Sequence, residues 1–192
     1  MIKDTLSEAA QASLAKHAGD PVVLAAPNPA WADMFLELAD QFRSACGDRF
    51  AAIHHIGSTS VPDLAAKPLI DMLPELNNPD EGAKLAPLLE PLGFVHLGAY
   101  GIEGRHFYRR KAAISVNVHM FEKGHIEVER HLVFRDALRS NEKLRAAYQK
   151  LKEELAARFP NDVDSYAKSK SDFIEKVLHD LGAPERPGGP DC

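Results

Sequence analysis

The sequence predicts an α/β (α+β) fold, a mixed β-sheet flanked by helices with further helices at the C-terminal end. The first supporting observation is a pair of short apolar runs, Phe50–Ile56 and Leu69–Leu73, which have strand length and are separated by a small-residue turn. The second is the stretch Ala113–Phe121, which alternates: Ile114, Val116, Val118 and Met120 share one face, and Ser115, Asn117 and His119 share the other. The third is the helical periodicity that runs from Ile126 onward with few breaks. A chain of 192 residues with ordinary apolar and charged fractions suits one domain with a full core.

Taken in order, Thr5 and Glu8 have the spacing of a capping box, so residues 1–20 are expected to form an N-terminal helical arm ended by Gly19, Asp20 and Pro21. Pro21–Ala26 reads as extended. Asn28 before Pro29 marks a helix start, and Trp31, Phe35, Leu38, Phe42 and Ala45 recur at helical spacing up to a stop at Gly47. That stripe is core, and Trp31 reads as packing rather than as a platform for a base. Beyond the two apolar runs, Pro74 is expected to end the second strand, which sets Glu75 aside. Asn77–Asp80 opens a helix that Pro87 shortens. Phe94–Leu97 reads as a strand, and Arg105–Arg110 should pair as a hairpin with Ala113–Phe121. Helices follow from Ile126 to Arg139, from a cap at Ser140-Asn141 to Phe159-Pro160, and from Val163 to Leu181. The Pro/Gly-rich residues 182–192 predict a disordered tail, which leaves 21–181 as the domain proper.

A net charge of −5 argues against a nucleic-acid surface as the main purpose and makes a free nucleotide the expected polyanion. Cys46 and Cys192 show neither pairing nor metal spacing, no apolar run reaches membrane length, and no signal-peptide pattern opens the chain. The expectation is a soluble cytoplasmic protein without a membrane partner.

Polar chemistry collects between the first two strands. Gly57 permits a tight turn with close backbone approach, Ser58, Thr59 and Ser60 supply hydroxyl and N–H groups, and Asp71 sits inside an apolar run. The run His-Ile-Gly-Ser-Thr-Ser-Val-Pro at 55–62, Ala-Lys-Pro at 66–68 and Ile-Asp at 70–71 resembles the hallmark of the GrpB-like family, with Asp63 in place of the usual Gly. The resemblance extends from about Trp31 to Leu178 and takes in Phe35, Leu92-Gly93-Phe94, Phe134–Arg139 and Tyr166–Lys170. It implies a nucleotidyltransferase-like fold, in which a Gly-Ser turn holds nucleotide phosphates and a carboxylate on the next strand holds divalent metal. Domains of this family also occur fused to a dephospho-coenzyme A kinase, but no Gly-x4-Gly-Lys-Ser/Thr loop is present here.

On this basis Asp71 is the expected catalytic and metal-binding carboxylate, Gly57, Ser58, Thr59 and Ser60 form the phosphate turn, and Lys67, Arg105, Arg135 and Arg139 are cationic candidates for nucleotide binding. His131, Arg135 and Arg139 form one helical stripe, for which a solvated face paired with Glu127 and Asp136 is the plainer reading. The Asp-x-Asp pattern of active nucleotidyltransferases ends here in Leu73, so one metal ligand is missing. His55, Asp71 and His119, on separate predicted strands, make a possible two-histidine, one-carboxylate set. The expected cofactor is Mg²⁺ with nucleotide, the alternative being Mn²⁺ or Zn²⁺ on that set. The expected function is binding of a nucleoside triphosphate and nucleotidyl transfer to a small acceptor. The rival readings are a non-catalytic nucleotide-binding module and a His/Asp metal-dependent hydrolase.

Overall fold

A computed structural model describes residues 21–187, so the expected helical arm at 1–20 and the end of the chain at 188–192 lie outside the described residues. A five-stranded mixed sheet, in the order β1-β2-β5-β4-β3, is built from β1 (Phe50–Ile56), β2 (Leu69–Leu76), β3 (Val95–His96), β4 (His106–Arg110) and β5 (Ser115–Glu122). Only the β2–β5 pair is parallel; β1–β2, β3–β4 and β4–β5 are antiparallel.

One face of the sheet is the main core. Helix α1 (Ala30–Cys46) lays Trp31, Leu38 and Phe42 on Ile70, Met72, Val116, Val118 and Met120, as the apolar stripe predicts. Asn28 Oδ1 accepts from the Ala30 amide at its start, and Gly47, at φ 67°, ends it. The Pro-interrupted segment yields only the short helix α2 (Ala86–Leu89). Over the other face lies α3 (Ile126–Ser140), whose Val128 joins Ile56, Leu73 and Phe121 in a second apolar cluster. Helix α4 (Glu142–Arg158) follows, capped by Asn141 Oδ1 on the Leu144 amide.

Three expectations are corrected. Strand β2 does not end at Pro74 but runs to Leu76, because only the ladder to β5 lapses: pairing stops after Met72 and resumes at Glu75↔Phe121, around a residue that has no N–H to donate. The final helix is two, α5 (Val163–Lys168) and α6 (Ser171–Asp180), separated at Ser169-Lys170. The predicted disordered tail is tied down over 182–187. Ala183 is buried, Arg130 donates to Pro184 O at 2.6 Å, and Arg186 pairs with Glu127 at 2.7 Å and Glu175 at 3.1 Å. Composition alone could not show these partners, which reside on α3 and α6. Among the described residues no helix is long and apolar enough to cross a membrane.

Glu127 is the pivot of this closure, 2 % exposed and facing both Arg186 and Arg130. Burial alone would raise its carboxyl, but hydrogen bonds from Arg186, with the charges of Arg186, His131 and Arg130, hold it below its ordinary value of 4.5. A depressed carboxyl stabilises the fold in full above the unfolded-state value and loses that contribution as pH falls through the folded one. Glu127→Gln should therefore cost about 2 kcal/mol at neutral pH, by weakening the charged hydrogen bonds to Arg186 while Glu175 still pairs both arginines. Thermal melts between pH 3 and 7 should show a steep fall in Tm below about 4.5 for the wild type and a flatter one for the variant.

Candidate functional site

The antiparallel register pairs Ile56 with Asp71, His54 with Leu73 and His55 with Met72. Directly opposed residues project to the same face, so Asp71 faces α3 and His55 faces α1. Where the chain leaves β1, Gly57 takes φ 70° and ψ −175°, and a Cβ there would lie 2.3 Å from Asp71 Oδ2. The position admits glycine alone, both for its backbone angle and for the carboxylate packed against it. Ser58–Ser60 then form a 3₁₀ turn. The Ser60 amide and hydroxyl both donate to Gly57 O, at 3.2 and 2.7 Å, and the Thr59 hydroxyl donates to Leu69 O at 2.9 Å. Thr59 and Ser60 are thus buried and committed to the turn, which leaves Gly57 and Ser58 to face the adjoining space.

That space is a cavity of about 230 Å³ between α3, α4 and α6, lined by Gly57 and Ser58 and walled by Phe134, Leu138, Tyr148, Ile174 and Leu178. His131, Arg135 and Ser171 line it as well, and the Glu127, Arg130, Glu175 and Arg186 network completes it. Tyr148 is hydrogen-bonded to the Ser58 side chain, and burial raises its phenol well above the ordinary value.

Asp71 is positioned by neighbours on β5. Asn117 Nδ2 donates to Oδ1 at 3.1 Å, and Arg109 Nε on Asn117 Oδ1 at 2.9 Å sets the direction of that amide. His119 Nε2 lies 3.4 Å from the same Oδ1, while its Nδ1 faces Arg105 Nη1 at 3.4 Å. An arginine only donates, so in the neutral ring Nδ1 is the acceptor and Nε2 carries the proton toward Asp71. Burial raises the Asp71 carboxyl, but the hydrogen bonds and charge of His119, the Asn117 amide and Lys170 outweigh it and hold the pKa below its usual value.

The predicted site residues divide accordingly. Gly57, Ser58, Asp71 and His119 come together. His55 does not join them: its Nε2 donates to Thr59 Oγ at 3.1 Å, its ring stacks on Phe35 with centroids 4.7 Å apart, and burial lowers its pKa to about 4. The two-histidine, one-carboxylate set is not assembled, since one histidine is on the wrong face and the other directs a proton at the carboxylate. Among the described residues no group of three or more His, Cys, Asp or Glu side chains is placed to hold a metal ion. Arg105 is turned to the loop carbonyls of Ala99, at 3.0 Å, and Tyr100. Arg135 donates to His55 O at 3.2 Å and to Asp136 at 2.7 Å, and Arg139 grips Ser60 O at 2.7 Å. Both arginines therefore fasten α3 to the turn, and Arg135 also lines the cavity. Glu75, set aside with the end of β2 at Pro74, instead accepts from His54 Nε2 at 2.6 Å.

Sequence reasoning named Lys67 but missed Lys170 and Lys152. Lys170, in the break between α5 and α6, stands 4.6 Å from the Tyr166 ring centroid, with Lys67 at 6.0 Å from the same ring. Burial lowers the Lys170 pKa to about 8, against the attraction of Asp71 and with the repulsion of Lys67. Lys152, 1 % exposed, donates to Ala65 O, and burial brings its pKa to about 7. The available signal was Lys170 itself, which closes the Tyr166–Lys170 segment that carries the family resemblance.

The donor set fits a single divalent cation at most. Asp71 is one carboxylate with Oδ1 already hydrogen-bonded, and the position for a second carboxylate is Leu73, fully buried in the apolar cluster under α3. A two-metal centre does not fit.

A sequence model of the family described as "GrpB protein" matches residues 21–180. The UPF0157 protein YqkA of Bacillus subtilis is 37 % identical over 149 residues, 77 % of this chain but only 43 % of its own length, so the chain spans less than half of that relative. A UPF0157 protein of Halalkalibacterium halodurans is 33 % identical over 151 residues, covering 79 % of this chain and 77 % of the relative. A Mycobacterium tuberculosis protein named dephospho-CoA kinase is 26 % identical over 180 residues, 80 % of this chain and 44 % of that protein. The crystal structure of the conserved protein GrpB from Enterococcus faecalis superposes with a TM-score of 0.77 at 33 % identity, covering 82 % of this chain and 96 % of that one. With the family's pattern running through both the turn at Gly57 and the strand that carries Asp71, the chain belongs to the GrpB family.

Proposed function

We propose that the site binds a nucleoside triphosphate, with its phosphates at the Gly57-Ser58 turn, and transfers a nucleotidyl group to a small acceptor. The observation that carries this reading is the close approach of Gly57 to Asp71, which brings turn amides and a carboxylate to one spot at the edge of a cavity. Lys170 is near enough to Asp71 to help lower its carboxyl, and Lys67 is near enough to Lys170 to repel it, an arrangement of cations that favours a polyanion. Mg²⁺ carried in on the triphosphate, with Asp71 as its protein carboxylate, would neutralise charge on the phosphate oxygens. Asn117 and His119 hold Asp71 in place, Lys170 contacts phosphate, Arg135 fastens α3 over the turn, and Asp71 is the catalytic residue. The missing second carboxylate at position 73 supports the alternative, a nucleotide-binding module without turnover.

Calorimetric titration with the four ribonucleoside triphosphates in the presence of Mg²⁺ tests the reading. Lys170→Met should weaken triphosphate binding about tenfold to a hundredfold, the range for a hydrogen bond to a charged group, and leave nucleoside binding unchanged. Equal losses for both ligands would place Lys170 in the fold rather than on the phosphates.

Asp71→Asn separates transfer from binding. Pyrophosphate release from the wild type should be abolished in this variant while triphosphate affinity changes by less than about tenfold, a factor worth 1.4 kcal/mol. Binding without pyrophosphate release by the wild type would favour the binding module.

A further inference from the structure

The cavity between α3, α4 and α6 holds polar groups that the phosphate site does not use. Its charges are satisfied among themselves: Arg130 and Arg186 pair with Glu175, and Arg186 pairs also with Glu127, while Arg135 is paired with Asp136. A charged ligand entering there would have to compete for arginines or carboxylates already engaged. Phe134, Leu138, Ile174 and Leu178 make the wall apolar.

His131 is different. Its Nδ1 lies 2.6 Å from Glu127 O, and a carbonyl oxygen only accepts, so Nδ1 carries the ring proton and Nε2 carries the lone pair. Burial, with the charge of His119, lowers the pKa to about 4, so this tautomer persists across the neutral range. A residue of the cavity lining therefore carries a fixed acceptor, which suits a donor hydroxyl. At about 230 Å³ it exceeds the roughly 150 Å³ that encloses benzene in an apolar protein cavity, leaving room for a ring and a short substituent.

We infer that this cavity is the acceptor pocket, taking a compact uncharged alcohol whose ring-sized apolar body packs on Phe134, Leu138, Ile174 and Leu178 and whose hydroxyl donates to His131 Nε2. The word acceptor rests on the function proposed above; the binding of the alcohol does not. Gly57 and Ser58 line the same cavity, which joins the pocket to the phosphate turn, and Ser171 offers a further hydroxyl on the lining.

Methyl NMR of the full chain without nucleotide tests the pocket, with benzyl alcohol, toluene, benzoate and benzylammonium as probes. Benzyl alcohol should shift the Leu138, Ile174 and Leu178 methyls at millimolar concentration and bind about tenfold tighter than toluene, with the two ions weaker than either. His131→Phe should remove the preference for the alcohol over toluene, and Ile174→Trp, on the half-buried wall, should remove binding of both. Benzoate or benzylammonium binding as tightly as the alcohol, an unchanged preference in His131→Phe, or no methyl shifts in the wild type would overturn the proposal. Triphosphate titration of the same samples keeps the two readings apart, since loss of one kind of binding leaves the other measurable.

Discussion

The constraint on which the site depends is the contact between the Gly57 backbone and the Asp71 carboxylate. The register places Ile56 opposite Asp71, so the chain must leave β1 directly over the first polar residue of β2. With no side chain at 57 the turn folds back on itself, and its carbonyls become the points where α3 is fastened. Arg135 takes His55 O and Arg139 takes Ser60 O. Strand β1 is the edge of the sheet, so the arginine that roofs the site also occupies a carbonyl of an edge that would otherwise offer itself to another chain. Site and fold are held by the same contacts.

The order and type of the elements were legible in the sequence because they depend on local patterns. The α1 stripe, the caps at Asn28 and Asn141, and the alternation of β5 are each contained within a few turns or residues. Pro74 shows where a local rule gives way, since a residue without an N–H forfeits pairing to one neighbour while the strand keeps its partner on the other side.

The site was less legible, because its membership depends on register. His54 and His55 are adjacent in sequence, but only the pairing of β1 with β2 shows which of them shares a face with Asp71. The stacking of His55 on Phe35 and its bond to Thr59 make it a fastener between β1, the turn and α1. Lys170 and Tyr148 reach the site from segments far along the chain, and no spacing rule joins them to residues 57–71. The arginine stripe was visible, but whether it met water, ligand or the chain's own carbonyls required the packing of α3.

The absence of a second carboxylate follows from that packing. Position 73 shares a face with Asp71, yet it lies under α3, in a cluster with Ile56, Phe121 and Val128 that is closed to solvent. A carboxylate there would be buried among apolar side chains, a cost of several kcal/mol unless a cation met it. Leucine instead gives α3 an apolar seat, and the helix brings Arg135 and His131 to the cavity. With one carboxylate left, the burial that lowers Lys170 is opposed by the charge of Asp71 and reinforced by the like charge of Lys67. The burial of Leu73 and the standing of Asp71 as the carboxylate that meets Lys170 thus follow from one packing arrangement.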